Sequence, residues 1–312
     1  MRRLVIATLA LAVGATVFAA WGLGAPGGRL ATTAAPTAKP KLPPKPKRSK
    51  LPAAVRQRGK WVIGVKCDYP PFGFIDVQGN HAGYDVEVAR RLPLFSFGRA
   101  NRLSLVCVTT PSRIPTLQSK RVDIIVSTLT WTKARTEVID FSIPYYAATG
   151  RLLVKEGSSV NSLRDLRGKT VVTTRGALYT PWTKLCIENA SVLEVDSPSA
   201  AVLALKDGRA DAFMFDDAFL LNVATQDRDL RMTRDKFLAI PWGIGIRKGD
   251  VAMKRYVDAA LRRMQEKDLF LEFLRRNAPK RYISDFSANV PRPGKTIRYP
   301  VDRDAATDCT SS

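Results

Sequence analysis

The chain has 312 residues, enough for one or two ordinary cores, and its 50 Lys and Arg against 28 Asp and Glu leave a formal charge of +22. Twelve of the bases and none of the acids fall in residues 1–60, so the remainder carries only about +10. No basic cluster interleaved with stacking aromatics stands out, which argues against a nucleic-acid partner, and one His with no C-x-x-C pair argues against a zinc site.

In chain order, Arg2 and Arg3 precede an apolar run from Leu4 to Leu23. A basic start followed by such a run is an export signal, expected to occupy residues 1–24 and to be cleaved after a site such as Val17-Phe-Ala19. The run is also long enough to span a bilayer, so an uncleaved membrane anchor is the alternative. No Cys near its end offers a lipid attachment point. Residues 25–56 are rich in Pro, Ala, Thr and Lys and bury little apolar surface, so a disordered tether is expected there.

From residue 57 onward strands and helices alternate. Trp61 to Cys67 reads as a strand, and Pro70 and Pro71 enforce a rigid loop after it. Gly83 opens a helix with Asp85 and Glu87 in its first turn, where the macrodipole favours them, and Pro93 is expected to end or kink it. His81, the one histidine, falls in a Gly-Asn turn. Strands follow at Arg102 to Thr109 and Val122 to Ser127. A second run places strands at Gly150 to Val154, Lys169 to Thr174, Leu193 to Val195 and Arg209 to Phe215, with helices between them. Phe237 to Arg247 returns as strand, and Met253 to Asn277 reads as one long amphipathic helix. The expected organisation is a two-lobed α/β fold with two doubly wound sheets joined by a two-strand hinge. One lobe comprises residues 57–145 plus 243–280, the other 146–242, and residues 281–312 form an irregular tail. The crossings are expected near Ser142 to Ala148 and Ala239 to Gly243. Among the four cysteines, Cys67 ends one strand and Cys107 lies in its expected neighbour, so a Cys67–Cys107 bridge is the first choice, with free buried thiols as the alternative.

The most informative segment runs from Leu117 through Arg121, Asp123, Thr128 and Thr130 to Arg135. Hydroxyls and a guanidinium stand at a strand's exit, where an open α/β sheet places its ligand, and a guanidinium suits a carboxylate in bidentate geometry. A second copy has Leu205, Arg209 and Asp211 at the same spacing, and Asp216 falls where Thr128 falls in the first. One unit thus offers groups for an anion and the other a carboxylate for a cation, as a buried zwitterion requires. The plainer readings are a surface Arg at a helix start for Arg135 and a helix N-cap for Asp216.

These motifs, in order with Tyr69-Pro-Pro-Phe72, Gly83-Tyr-Asp85, Ile139-Asp-Phe-Ser142 and Leu163 to Lys169, resemble the extracytoplasmic solute-binding proteins of ABC importers, family 3, the polar amino-acid type, over Trp61 to Asn277. The resemblance implies a periplasmic-binding-protein fold of type II that traps an amino acid or similar small zwitterion between its lobes. It also implies an exported, periplasmic or extracytoplasmic monomer partnered by an importer's membrane subunits, with no metal, cofactor or catalytic residue. It assigns the ligand α-carboxylate to Arg135, Thr128 and Thr130, the α-ammonium to Asp216, and stacking over the side chain to Tyr69. Asp68, Phe72 and Thr174 complete the expected binding set. The chain departs from the family pattern at Gly176-Ala177, where many relatives carry a hydroxyl after the Gly, and at Lys66, where many carry Asp. Lys66, Asp68 and Arg175 would favour an acidic or polar ligand, and Arg113 is positioned to line the cleft. The alternatives on the same fold are a cyclohexadienyl-type dehydratase, needing a general acid or base such as Asp68, Glu87 or His81, and a sensory domain.

Overall fold

The computed structural model describes residues 50–310. The expected export segment, the tether up to residue 49 and the last two residues lie outside the described residues.

Helix α1 (Ala53–Arg58) leads into β1 (Trp61–Val65), then β2 (Asp68–Tyr69), β3 (Gly73–Ile75), β4 (His81–Ala82) and α2 (Tyr84–Phe97). β5 (Leu103–Cys107), α3 (Arg113–Gln118), β6 (Ile124–Val126), α4 (Lys133–Val138) and β7 (Ile139–Phe141) follow. The chain then builds β8 (Tyr146–Lys155), β9 (Thr170–Thr174), α5 (Tyr179–Cys186), β10 (Ser191–Val195), α6 (Pro198–Lys206), β11 (Ala212–Asp216), α7 (Asp217–Gln226), β12 (Leu230–Met232) and β13 (Phe237–Trp242). It ends with β14 (Gly245–Arg247), α8 (Val251–Glu266), α9 (Leu269–Asn277) and α10 (Ile283–Ser287).

Two main sheets result. One has the order β5-β1-β6-β14-β7 and the other β10-β9-β11-β8-β12, with β13 also on β8. β1, β5 and β6 are parallel, as are β9, β10 and β11, so the strand exits of each set face one way. The chain passes between the sheets twice, at residues 142–145 and at residues 243–244. β13 and β14 thus belong to different sheets, where the sequence suggested one strand.

The repeated Leu-Arg-Asp spacing has a structural cause. Asp123 Oδ2 accepts the Val62 amide at 2.7 Å, and Asp211 Oδ2 accepts the Thr170 amide at 2.8 Å. Each acid satisfies a backbone donor at the start of the parallel neighbour strand, where the ladder leaves one over. The Cys67–Cys107 disulfide is present, at the far ends of β1 and β5. A second disulfide joins Cys186 to Cys309.

Four local expectations are corrected. The tether does not extend to residue 56: Leu51 and Val55 are in the core, and Gly59 closes α1 in the left-handed conformation with its N–H on Val55 O. α2 continues through Pro93 to Phe97. Its last turn is held by packing and by Ser96, which donates to Leu92 O and accepts from Trp61 Nε1. The long C-terminal helix is two, broken at Asp268, which adopts φ 55° and is gripped by the Arg292 guanidinium. His81 lies in β4, paired with Ile75, and not in the preceding turn. Among the described residues, no helix is long and apolar enough to cross a membrane.

Asp123 is buried and also meets Arg58, whereas Asp211 is exposed. Asp123→Ala is therefore expected to cost about 1–3 kcal/mol, and Asp211→Ala less than about 1 kcal/mol, read as shifts in urea midpoint. Equal losses would show that the two caps are not graded by burial.

Candidate functional site

The exit of β6 is built from an unusual backbone. Thr128 has φ 48°, a conformation that a β-branched residue seldom adopts. The surroundings impose it. The Thr128 amide donates to Asp85 Oδ2 at 2.8 Å and to Tyr145 Oη at 3.2 Å. On the other side, Arg113 Nη1 donates to Ser127 O at 2.8 Å and Thr128 O at 3.1 Å. Such strain persists only where neighbours over-determine it, and it clusters at binding sites. Asp85 is thus more than a dipole-complementing acid at a helix start. It is fully buried, and desolvation pushes its carboxyl up to about 7 despite the Thr128 bond.

Arg135 sits in α4, whose N-cap Thr132 accepts the Arg135 amide at 3.2 Å. Its guanidinium turns back toward the cleft. Nη1 donates to Thr130 O at 2.7 Å and Nη2 to Gly176 O at 2.9 Å. Gly176 belongs to the loop after β9, so this bond joins the two lobes. It is not the solvated helix-start Arg of the plainer reading. Burial pulls its pKa down and nearby Arg113 adds to this, while Asp216 opposes both.

Asp216 ends β11 and precedes α7, the place of an N-cap, yet its side chain makes no cap bond. Oδ1 accepts from Tyr179 Oη at 2.6 Å and Oδ2 from Tyr69 Oη at 2.9 Å. Tyr179 comes from the same lobe and Tyr69 from β2 of the other. Burial pushes the Asp216 carboxyl up to about 6, against the stabilising effect of the two hydroxyls. Thr128, Thr130, Arg135 and Asp216 line one cavity, with a free volume of about 10 Å³. Thr110, Arg113, Ala177, Leu178, Tyr179 and Phe215 complete its wall.

The remaining expected residues are placed differently. Tyr69 reaches the site through its hydroxyl, while its ring is fully buried against Phe72, Phe215, Phe219 and Trp242. Phe72 packs in that core on Tyr84, Tyr146 and Trp242 and is not on the cavity wall, because the Pro70-Pro71 turn directs it inward. Thr174 is fully buried in the six-stranded lobe and stops short of the wall. Asp68 is ion-paired at 3.1 Å with Lys66, which is itself buried and donates to Thr110 Oγ1 at 2.9 Å. Desolvation draws the Lys66 ammonium down to about 8. Arg175 is exposed and faces Asp196. Reading the sequence missed Tyr179, Thr110, Leu178 and Phe215. An aromatic in the first turn of an amphipathic helix, such as Tyr179, reads as core. Phe215 was signalled only by adjoining Asp216.

Residues 61–276 match the family model of bacterial extracellular solute-binding proteins, family 3. Similar sequences include the ABC transporter glutamine-binding protein GlnH of Bacillus subtilis (strain 168), 34% identical over 215 residues, covering 68% of this chain and 79% of that one. The glutamine-binding protein of Geobacillus stearothermophilus is 36% identical over 196 residues, covering 62% and 75%. Among solved structures, the cysteine-binding protein of Campylobacter jejuni superposes with a TM-score of 0.69 at 29% identity, covering 72% of this chain and 91% of that one. With two α/β lobes, a cavity between them walled by opposed charges, and a family match across more than half its length, the chain belongs to the bacterial extracellular solute-binding proteins of family 3.

Proposed function

We propose that this protein is the capture subunit of an amino-acid ABC importer, and that its solute is an amino acid with an acidic side chain. The observation that carries the solute class is the charge of the cavity wall, where the guanidiniums of Arg113 and Arg135 stand against the single carboxylate of Asp216. Lys66 and Asp68 compensate each other behind that wall. A ligand with one ammonium and two carboxylates completes the pairing, which burial of charge demands.

In this reading Arg135 takes the α-carboxylate, with the Thr128 and Thr130 hydroxyls beside it, and Asp216 takes the ammonium. Arg113 takes the side-chain carboxylate. Its Nε is buried without a hydrogen-bond partner and supplies a donor beyond those already on Ser127 O and Thr128 O. Ala177 contributes a methyl to the wall. The lobes part to admit the solute and close on it, exchanging the Tyr69–Asp216 and Arg135–Gly176 contacts for contacts to ligand. The relatives named above carry glutamine and cysteine in their names, so the scaffold accommodates different side chains. The export signal of residues 1–24 would deliver the protein outside the cytoplasm, where the importer's membrane subunits are met, and if left uncleaved it would anchor the chain there through the tether. The proposed role is capture without chemistry: His81 lies in β4 with Nδ1 3.5 Å from Cys67 Sγ, Asp68 pairs with Lys66 and Glu87 with Arg90, and none of the three is on the cavity wall.

Titration calorimetry against the common amino acids tests the reading. Glutamate or aspartate is expected to bind at least about tenfold more tightly than its amide, because the amide leaves a buried guanidinium unpaired. Tighter binding of glutamine would overturn the acidic class, and turnover of a prephenate-like compound would overturn capture itself. Arg113→Gln also removes the donors on Ser127 O and Thr128 O, so it is expected to weaken binding of both ligands, but of the acid by about tenfold more than of its amide, abolishing the preference. Arg135→Ala and Asp216→Asn should each weaken binding by about 2–5 kcal/mol.

The pH dependence has a definite sign. The ammonium needs ionised Asp216, whose carboxyl protonates near 6 in the unliganded site. As pH falls through 6, affinity is therefore expected to drop toward about tenfold per unit. Asp216→Asn should bind weakly and lose this slope; retention of the slope would assign it to another group.

A further inference from the structure

We propose that the C-terminal segment is a disulfide-anchored strap that couples the two lobes across the hinge and limits how far the cleft opens. The segment lies beyond residue 276, where the family match ends. It is fastened at three places.

The first is the five-stranded lobe. Arg292 pairs through Nη2 with Asp268 Oδ2 at 2.8 Å, and Gln265 Nε2 donates to the carbonyls of Arg292 and Lys295, each at 3.1 Å. The second is the hinge itself. Asn289 O accepts the Ala147 amide at 2.8 Å, and Tyr299 Oη donates to Ser142 O at 2.7 Å. The Tyr299 ring stacks on Trp131 with centroids 5.5 Å apart. Gly243, on the other crossing, is closely fitted to this contact: a Cβ there would lie 1.9 Å from Tyr299 Oη. The third is the six-stranded lobe, where Trp182 Nε1 donates to Asp308 O at 2.9 Å and Cys186 is bonded to Cys309.

The stretch between the second and third anchors is coiled. Val301 N reaches Tyr299 O, Arg303 N reaches Pro300 O, and Thr307 N and Asp308 N both reach Asp304 O. Ala305, within it, is buried. Rotation of one lobe away from the other pulls on this stretch, because both of its ends are fixed. Ten residues could extend to roughly 33–36 Å, so the disulfide does not forbid opening. It gives opening a finite reach, and every turn drawn out loses backbone hydrogen bonds. Without the covalent link, Trp182 and Asp308 would separate first and the lobe would swing unopposed.

Small-angle scattering on the full, unliganded chain tests the proposal independently of which solute is captured. Two variants are compared with the parent: Cys186→Ser with Cys309→Ser, and a chain with six Gly/Ser residues inserted after Arg303 that keeps both disulfides. Each is expected to widen the distance distribution and raise the radius of gyration by about 1 Å. Circular dichroism shows whether the serine variant folds, and if it does not, the lengthened chain decides alone. A lengthened chain that scatters like the parent would overturn the strap. Reduction of the parent is unsuitable, since it also opens Cys67–Cys107.

Discussion

A carboxylate with no cation in hydrogen-bond contact, buried where two lobes meet, is the constraint around which this molecule is arranged. Asp216 has lost its water and has gained two phenolic hydroxyls, one from each lobe. Neither hydroxyl neutralises it. Both are held by aromatic packing: Tyr69 against Phe72 and Trp242, Tyr179 against Phe215 and Phe237. The apolar core thereby fixes the position of a charge, and the charge keeps an unmet demand for a cationic partner.

The opposite wall works by a complementary device. Thr128 is forced into a left-handed conformation by Asp85 and Arg113, which grip adjacent parts of the peptide chain from opposite sides. The strain presents hydroxyls and guanidiniums at a strand exit in fixed register. Preorganisation of this kind reduces what a ligand must spend on ordering the site.

Much of this was legible in the chain. The repeat spacing matched Asp216 to Thr128 at equivalent strand ends, and Arg135 was read from its place just beyond the first of those exits and from the family resemblance. The Cys67–Cys107 pairing followed from strand adjacency. What stayed hidden depends on tertiary packing. Phe72 and Thr174 fit a binding motif but are drawn into the core. Tyr179 looks like core and delivers its hydroxyl to the site. Pro93 should interrupt a helix, yet Trp61 and Ser96 hold the turn beyond it. Whether Cys186 and Cys309 pair or stay thiols was left open, because Cys309 lies in a segment with no periodicity to position it.

The paired acids Asp123 and Asp211 have a further consequence. Both fasten the entry ends of parallel strands, on the side away from the cavity. In each sheet the acid that fastens a strand entry thus lies at the opposite end of the strands from the proposed solute cavity. Substitutions at the exits can alter which solute fits without loosening the framework. A scaffold partitioned in this way is evolvable, and relatives that share its outline while being named for different amino acids are the outcome such a partition permits.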